Sequence, residues 1–275
     1  MIVHSSLRPV RNFMAANLKA LRGRVRAVRD QMRGLPPAAT REFVGDGDFE
    51  RIGRDFVRYF VDLGGLRPTD RVLDIGCGIG RMAIPLAGFL AAPGTYEGFD
   101  IGAIGIDWCN RNIARRNPRF KFTHVDLYNS FYNPRGTLDP GTFRFPYSDE
   151  GFDFGFATSV FTHLMPSTAT HYLQELTRVL RVGGRGVLTV FLLDEQSRDG
   201  IRSGTSSQAF VHGIGAAAMS TNVEKPEAAI AYDEEWLRAS LGSCGLEIVE
   251  PIRWGSWSGR ADYLSYQDLL VVRKR

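Results

Sequence analysis

The sequence predicts an α/β fold: a mostly parallel sheet with helices on both faces. Three observations carry this. From Arg71 onward, short apolar runs alternate with segments of helical spacing, the pattern of a parallel sheet covered on both sides. The first run, RVLDI, leads straight into Gly76, Gly78 and Gly80 and then a helix-like segment. Glycines there let the backbone turn sharply and approach a ligand, while a helix N-terminus offers free N–H groups. Finally, 275 residues with 44% hydrophobic and 23% charged content suit one large globular α/β domain or two small ones.

The chain opens with a different element. Leu7, Val10, Met14, Leu18, Leu21, Val25, Val28 and Met32 form an a/d-type apolar stripe. Pro9 fits a first turn, and GLPPAAT (34–40) ends the helix. Residues 1–40 therefore form a basic amphipathic helix ahead of a domain spanning 41–275. Residues 1–33 hold eight Arg or Lys and one acid, Asp30, whereas the rest of the chain has 26 basic and 29 acidic residues. The net charge of +4 thus belongs to one segment, and a nucleic-acid footprint spread over the domain is not expected. The helix suits packing on its own domain, a homodimer contact, or peripheral contact with an anionic membrane.

Cys77, Cys109 and Cys244 are scattered without CxxC spacing, which argues against a disulfide framework and a zinc site. No secretory apolar region follows the N-terminus, and AIPLAGFLAA is too short to span a bilayer. The expectation is a cytoplasmic protein, with membrane association open through the N-terminal helix.

Within FVGDGDFERIGRDFVRYFVDLGGLRP (43–68), Phe49, Ile52, Phe56, Tyr59, Phe60 and Leu63 keep helical spacing, and Gly64 and Gly65 suit a C-terminal cap. Strands follow at about 71–75, 95–100, 120–125, 152–157 and 185–193, with helices near 81–91, 103–117 and 166–180. A last helix near 233–242 precedes LEIVEPIRW and YLSYQDLLVVRK, two strands close enough in sequence to pair antiparallel. Two connections, 127–151 and 194–232, are longer than this architecture needs and follow strands at the edge where such folds bind ligands. They are the candidate lids for substrate selection.

The glycine spacing is G-x-G-x-G, with Arg81 and Ile79 excluding the dinucleotide pattern G-x-G-x-x-G. Asp74 stands two residues before the first glycine. A carboxylate there repels a pyrophosphate and attracts a cationic amine. The next strand ends in Asp100, placed to accept from both hydroxyls of a ribose or to cap the following helix. The third ends in Asp126, placed to accept from an exocyclic amine or to hold a turn.

Asp74, Gly76, Gly78, Gly80, Asp100 and Asp126, each at a strand end, resemble the cofactor motifs of the class I (Rossmann-like) S-adenosylmethionine-dependent methyltransferases. The resemblance covers about 43–193 well and the C-terminal strands loosely. It implies a seven-stranded sheet whose last strand is antiparallel. It also implies S-adenosyl-L-methionine as cofactor, with S-adenosyl-L-homocysteine (SAH) as product. Asp74 and the glycine loop would face the methionine part, Asp100 and Ile101 the ribose end, and Asp126 with Leu127 the adenine. The loop after the fourth strand would face the cofactor, with Ser159 and His163 as its polar residues.

That loop reads ATSV, where the amino-group DNA and protein enzymes of this fold carry an Asn/Asp-Pro-Pro-aromatic motif. No Pro-Cys nucleophile is present either. A neutral hydroxyl gains from a base of near-neutral pKa, and His163 is the candidate, the alternative being a histidine packed against the cofactor or capping the next helix. His124, His171 and His212 compete for the role. No run of acids has metal-ligand spacing, so metal independence is expected. RWGSWSGRADYLSYQD places Trp254, Trp257, Tyr263 and Tyr266 around Arg253 and Arg260; the choices are an aromatic wall with an arginine for an anionic group, or edge packing. The favoured function is O-methylation of a small or medium molecule: a sugar hydroxyl of a glycan or glycolipid precursor, or a secondary metabolite. The alternatives are C- or N-methylation of a small molecule and a cofactor-binding scaffold without catalysis. A nicotinamide-dependent oxidoreductase is disfavoured by the glycine spacing and Asp74.

Overall fold

The computed structural model describes residues 34–37 and 47–275. The chain divides into two units, 1–49 and 50–275. The basic helix expected over 1–33, with its membrane or dimer contact, lies outside the described residues.

Helix α1 (Phe49–Asp62) ends as the paired glycines require. Gly65 takes φ +72°, and its N–H returns to the Val61 carbonyl at 3.1 Å, the cap in which one left-handed residue closes the last turn. The apolar face of α1 stacks Phe60 on Phe156 at 4.3 Å and beside Phe154 at 5.7 Å between ring centroids. β1 (Arg71–Ile75), β2 (Thr95–Asp100), β3 (Phe120–His124), β4 (Phe152–Ala157) and β5 (Leu180–Val190) pair in parallel. β11 (Asp268–Lys274) is antiparallel to β5 and to β10 (Leu246–Ile248). The seven-stranded order is β10-β11-β5-β4-β1-β2-β3. Successive strands leave in opposite directions from the β1/β4 pair, so the ligand crevice of this topology opens at their C-terminal ends.

The helices between them are α2 (Ala83–Phe89), α3 (Ala103–Cys109), α4 (Pro166–Val179) and, after the second insertion, α6 (Glu234–Ser243). α3 is shorter than the expected 103–117 because it passes into a π turn, Asn110–Ala114. Alternate residues of β1 serve the two faces. Leu73 and Ile75 join the core beneath α4, while Val72 joins the cluster that holds Tyr59, Phe60 and Tyr96.

Two expectations change. The strand expected at 185–193 begins earlier and stops at Val190, because Leu192 and Leu193 leave the main sheet as β6 and pair with β9 (Ile230–Asp233). The insertion 194–232 is also not irregular. It holds α5 (Glu195–Ser203), β7 (His212–Ile214), β8 (Ala218–Ser220) and most of β9, forming a second sheet in the order β6-β9-β8-β7. Asp194 caps α5 through a reciprocal bond with Ser197. These strands are two to four residues long, too short for an alternating pattern to show.

The insertion 127–151 has two halves of different character. Phe145 is buried against Phe99 at 4.9 Å, and its N–H donates to buried Glu175 at 2.7 Å. Arg178 donates to the Phe145 and Tyr147 carbonyls and to Glu175. The first half instead leaves Tyr128, Phe131, Tyr132 and Leu138 exposed. Among the described residues, no helix is long and apolar enough to cross a membrane.

Candidate functional site

The glycine loop turns in the left-handed region three times, with Gly76, Gly78 and Gly80 at φ +75°, +54° and +78°. Space as well as torsion reserves two of these positions. A Cβ on Gly76 would sit 2.3 Å from Val160 Cγ2, and one on Gly80 would sit 2.7 Å from Ile113 Cδ1. The loop is tied to β2 by the Gly76 and Cys77 N–H groups, which both donate to the Phe99 carbonyl.

Asp74 lies beneath this loop, 1% exposed. Tyr96 donates its O–H to Oδ2 at 2.6 Å, while Oδ1 is buried with no hydrogen-bond partner among the described residues. Burial, opposed by the Tyr96 bond and reinforced by nearby Asp100, pushes the carboxyl up to about 8. Burial also raises the Cys77 and Cys109 thiols, so neither is a ready nucleophile.

Asp100 joins two segments. One oxygen accepts from the Gly78 N–H at 2.8 Å, the other from the Gly102 N–H at 2.6 Å. Burial raises its pKa, against the pull of these two N–H groups. The carboxylate fixes the glycine loop to the start of α3 and keeps further lone pairs for a donor. Ile101 is half-buried beside it, its carbonyl bonded to His124 Nε2 at 3.2 Å.

Asp126 accepts from Thr137 Oγ1 at 2.8 Å, the Thr137 N–H and Asn133 Nδ2, bonds that lower its pKa. It therefore holds the first insertion as a turn acid. Leu127 is 2% exposed and packs in the core, so its side chain, expected against an adenine, offers no contact surface.

Beyond β4, Ser159 is an exposed non-glycine residue at φ +58°, a conformation costing about 1–2 kcal/mol. Its N–H donates to Thr189 Oγ1 at 2.8 Å and its Oγ to Gln267 Oε1 at 3.0 Å.

His163 ends the one-turn helix Phe161–His163. Its Nδ1 lies 2.8 Å from the Glu227 carbonyl, and its Nε2 lies 3.3 Å from the Tyr132 hydroxyl. A carbonyl only accepts, so Nδ1 carries the proton and Nε2 of the neutral ring accepts from Tyr132. Burial lowers the imidazole pKa, against the Glu227 carbonyl, which raises it. Asn129 Nδ2 donates to the His163 carbonyl, and the Ser130 N–H donates to the Glu227 carboxylate at 2.7 Å. Both insertions thus close on this histidine. The competitors are placed otherwise: His171 and His124 bond backbone carbonyls of Phe143 and Ile101, and His212 lies on the edge strand β7.

The C-terminal aromatic group is largely structural. Trp257 is fully buried, with its Nε1–H on Asp268 at 2.8 Å. Arg260 is 9% exposed, paired with Asp194 at 2.5 Å and set over the Trp254 ring at 4.1 Å. Arg260 is therefore spent inside the protein and does not await an anionic group. Tyr263 and Tyr266 are exposed. Asp153 pairs with Arg71 and Arg181 at the opposite end of the strands. Among the described residues no three His, Cys, Asp or Glu side chains gather as a metal site.

The model of a methyltransferase domain family matches residues 72–184, from β1 into β5. That span carries a methyltransferase domain, and the chain shares its fold with S-adenosylmethionine-dependent methyltransferases. The magnesium protoporphyrin IX methyltransferase of Synechocystis PCC 6803, solved with bound SAH, shares the fold with TM-score 0.54 at 18% identity, over 86% of this chain and 92% of that one. A solved cyclase shares it with TM-score 0.53 at 18% identity, over 82% and 80%. The 27-O-demethylrifamycin SV methyltransferase of Amycolatopsis mediterranei (strain S699) is 33% identical over 129 residues, 46% of this chain and 41% of that protein. The chain thus spans less than half the length of that relative.

S-adenosylmethionine is the cofactor of this methyltransferase family, and the site fits it. The partnerless Asp74 oxygen suits an ammonium donor, and the glycine backbone leaves the space that side chains would fill. Sequence reasoning missed Tyr96, Val160, Tyr132 and Glu227. The last two lie 31 and 64 residues from His163, and only the fold brings them to it.

Proposed function

We propose that the protein transfers a methyl group to a hydroxyl of a small or medium-sized molecule, a sugar hydroxyl of a glycan or glycolipid precursor or a secondary metabolite. One observation carries the reading: a neutral histidine at the crevice, its Nδ1–H fixed on the Glu227 carbonyl and its Nε2 left as an acceptor. The relative whose name states methylation at an oxygen supports the same choice.

When bound, the cofactor supplies a sulfonium methyl group, and the leaving group is a neutral thioether. The chain's own residues then bind and orient. The glycine-loop backbone, which leaves room for close approach, and the Asp74 carboxylate receive the amino-acid portion, and Asp100 accepts from the ribose hydroxyls with its remaining lone pairs. Asp126 stays a turn acid at the adenine end. Ser159 and Val160 shape the wall beside the transferred group. In-line displacement gains most from such positioning, and a base of near-neutral pKa adds to it for a hydroxyl acceptor.

The test is a panel of hydroxylated acceptors, simple sugars, glycolipid precursors and 27-O-demethylrifamycin SV among them, incubated with trideuteromethyl cofactor. Mass spectrometry and NMR locate the label. Label on oxygen supports the reading. Label only on carbon or nitrogen, with His163→Ala as active as wild type, overturns it in favour of C- or N-methylation.

A further inference from the structure

We infer that Tyr132 and His163 form a proton relay in which the Tyr132 hydroxyl, not the imidazole, touches the acceptor; the inference rests on the O-methylation reading. The geometry is on hand. Nδ1 is committed to the Glu227 carbonyl at 2.8 Å, and the Tyr132 ring stands edge-on to the imidazole with centroids 4.9 Å apart. The Tyr132 O–H therefore points at Nε2, 3.3 Å away, a separation of the kind that tightens when an acceptor closes the site. Nε2 has its lone pair filled by that O–H. The phenol oxygen is the group left to accept. Tyr132 is 47% exposed, beside exposed Tyr128 and Phe131 on the same insertion.

The step balances. The acceptor oxygen forms its bond to the methyl carbon as the carbon–sulfur bond breaks, with that electron pair remaining on sulfur. The acceptor's proton goes to the Tyr132 oxygen while the proton of Tyr132 passes to Nε2. The imidazolium so formed returns a proton to solvent, and Tyr132 ends neutral. Glu227 is a positioning residue: its carbonyl fixes the tautomer, and its carboxylate anchors the Ser130 N–H so that Tyr132 is presented.

The first arm needs neither cofactor nor acceptor. Nitrogen NMR of ring-labelled histidine, with the His163 signals assigned by their loss in His163→Gln, should show the Nδ1–H tautomer. Its Nε2 signal should shift in Tyr132→Phe and stay unchanged in Tyr128→Phe. The Nε2–H tautomer, or an Nε2 signal indifferent to Tyr132→Phe, overturns the relay. The second arm uses the hydroxyl acceptor that the panel yields. There Tyr132→Phe should lower kcat at least about 10-fold, within the usual gain from acid–base catalysis, with both KM values nearly unchanged. Retained kcat with label on oxygen overturns the relay and leaves the O-methylation reading standing. An intact NMR signature with label on no oxygen overturns that reading, and the relay's role with it.

Discussion

Replacing Asp74 by Asn should stabilise the cofactor-free protein, by an amount that grows with pH. The wild-type carboxyl sits 1% exposed with one oxygen partnerless and titrates at about 8, against 3.8 in the ordinary state. A folded-state pKa raised in this way contributes stability below about 3.8 and loses it as pH rises through about 8. In that window the unfolded chain has released a proton that the native state keeps. Wild-type stability therefore falls by about 1.4 kcal/mol per pH unit on account of this group, of order 4 kcal/mol by neutral pH. Asn carries no such proton. Its oxygen accepts the 2.6 Å bond from Tyr96, and its amide replaces the partnerless oxygen. Urea unfolding of both proteins between about pH 5 and about pH 8 is the assay, with the variant's advantage widening across that range. S-adenosylmethionine should reverse the order, stabilising the wild type more, because its ammonium restores the carboxylate. A stability difference flat with pH would show that Asp74 is ionised in the folded state, and the electrostatic reasoning would be refuted.

Other outcomes follow from packing. Gly76→Ala places a methyl 2.3 Å from Val160 at φ +75°, and should cost about 2 kcal/mol and weaken cofactor binding by calorimetry. Gly88→Ala meets nothing within 4 Å and should raise stability by about 0.5 kcal/mol; equal effects of the two would discredit the close-approach argument. Phe60→Ala removes a fully buried ring stacked on Phe156 and should cost about 3–5 kcal/mol with an unchanged denaturant slope. A loss under about 1 kcal/mol would mean that α1 does not close this face of the sheet.

The strands were legible because each reads as one apolar run bounded by turn residues: 71–75, 95–100 and 152–157 match the observed limits. The glycine loop was legible too, since three positive φ angles leave glycine as the ordinary choice. Two things escaped. The small sheet of the second insertion is built from strands too short to show periodicity, and its β6 looked like the tail of β5 until Leu192 proved to pair with Tyr232. Arg260 reads as a surface cation, yet a partner 66 residues away buries it. The roles of His163, Tyr132 and Glu227 depend on contacts that join three segments of the chain. A histidine after the fourth strand could be named from the sequence. Which of its nitrogens is free could not, because a backbone carbonyl decides it.

The most direct test is a crystal structure of the protein with SAH. The account predicts the methionine part at the Gly76–Gly80 loop with its amino group at Asp74, the ribose hydroxyls on Asp100, the adenine toward the Asp126 turn, and the sulfur facing the Tyr132–His163 pair. SAH bound with its ribose away from Asp100, or with its sulfur turned from Tyr132, would contradict it.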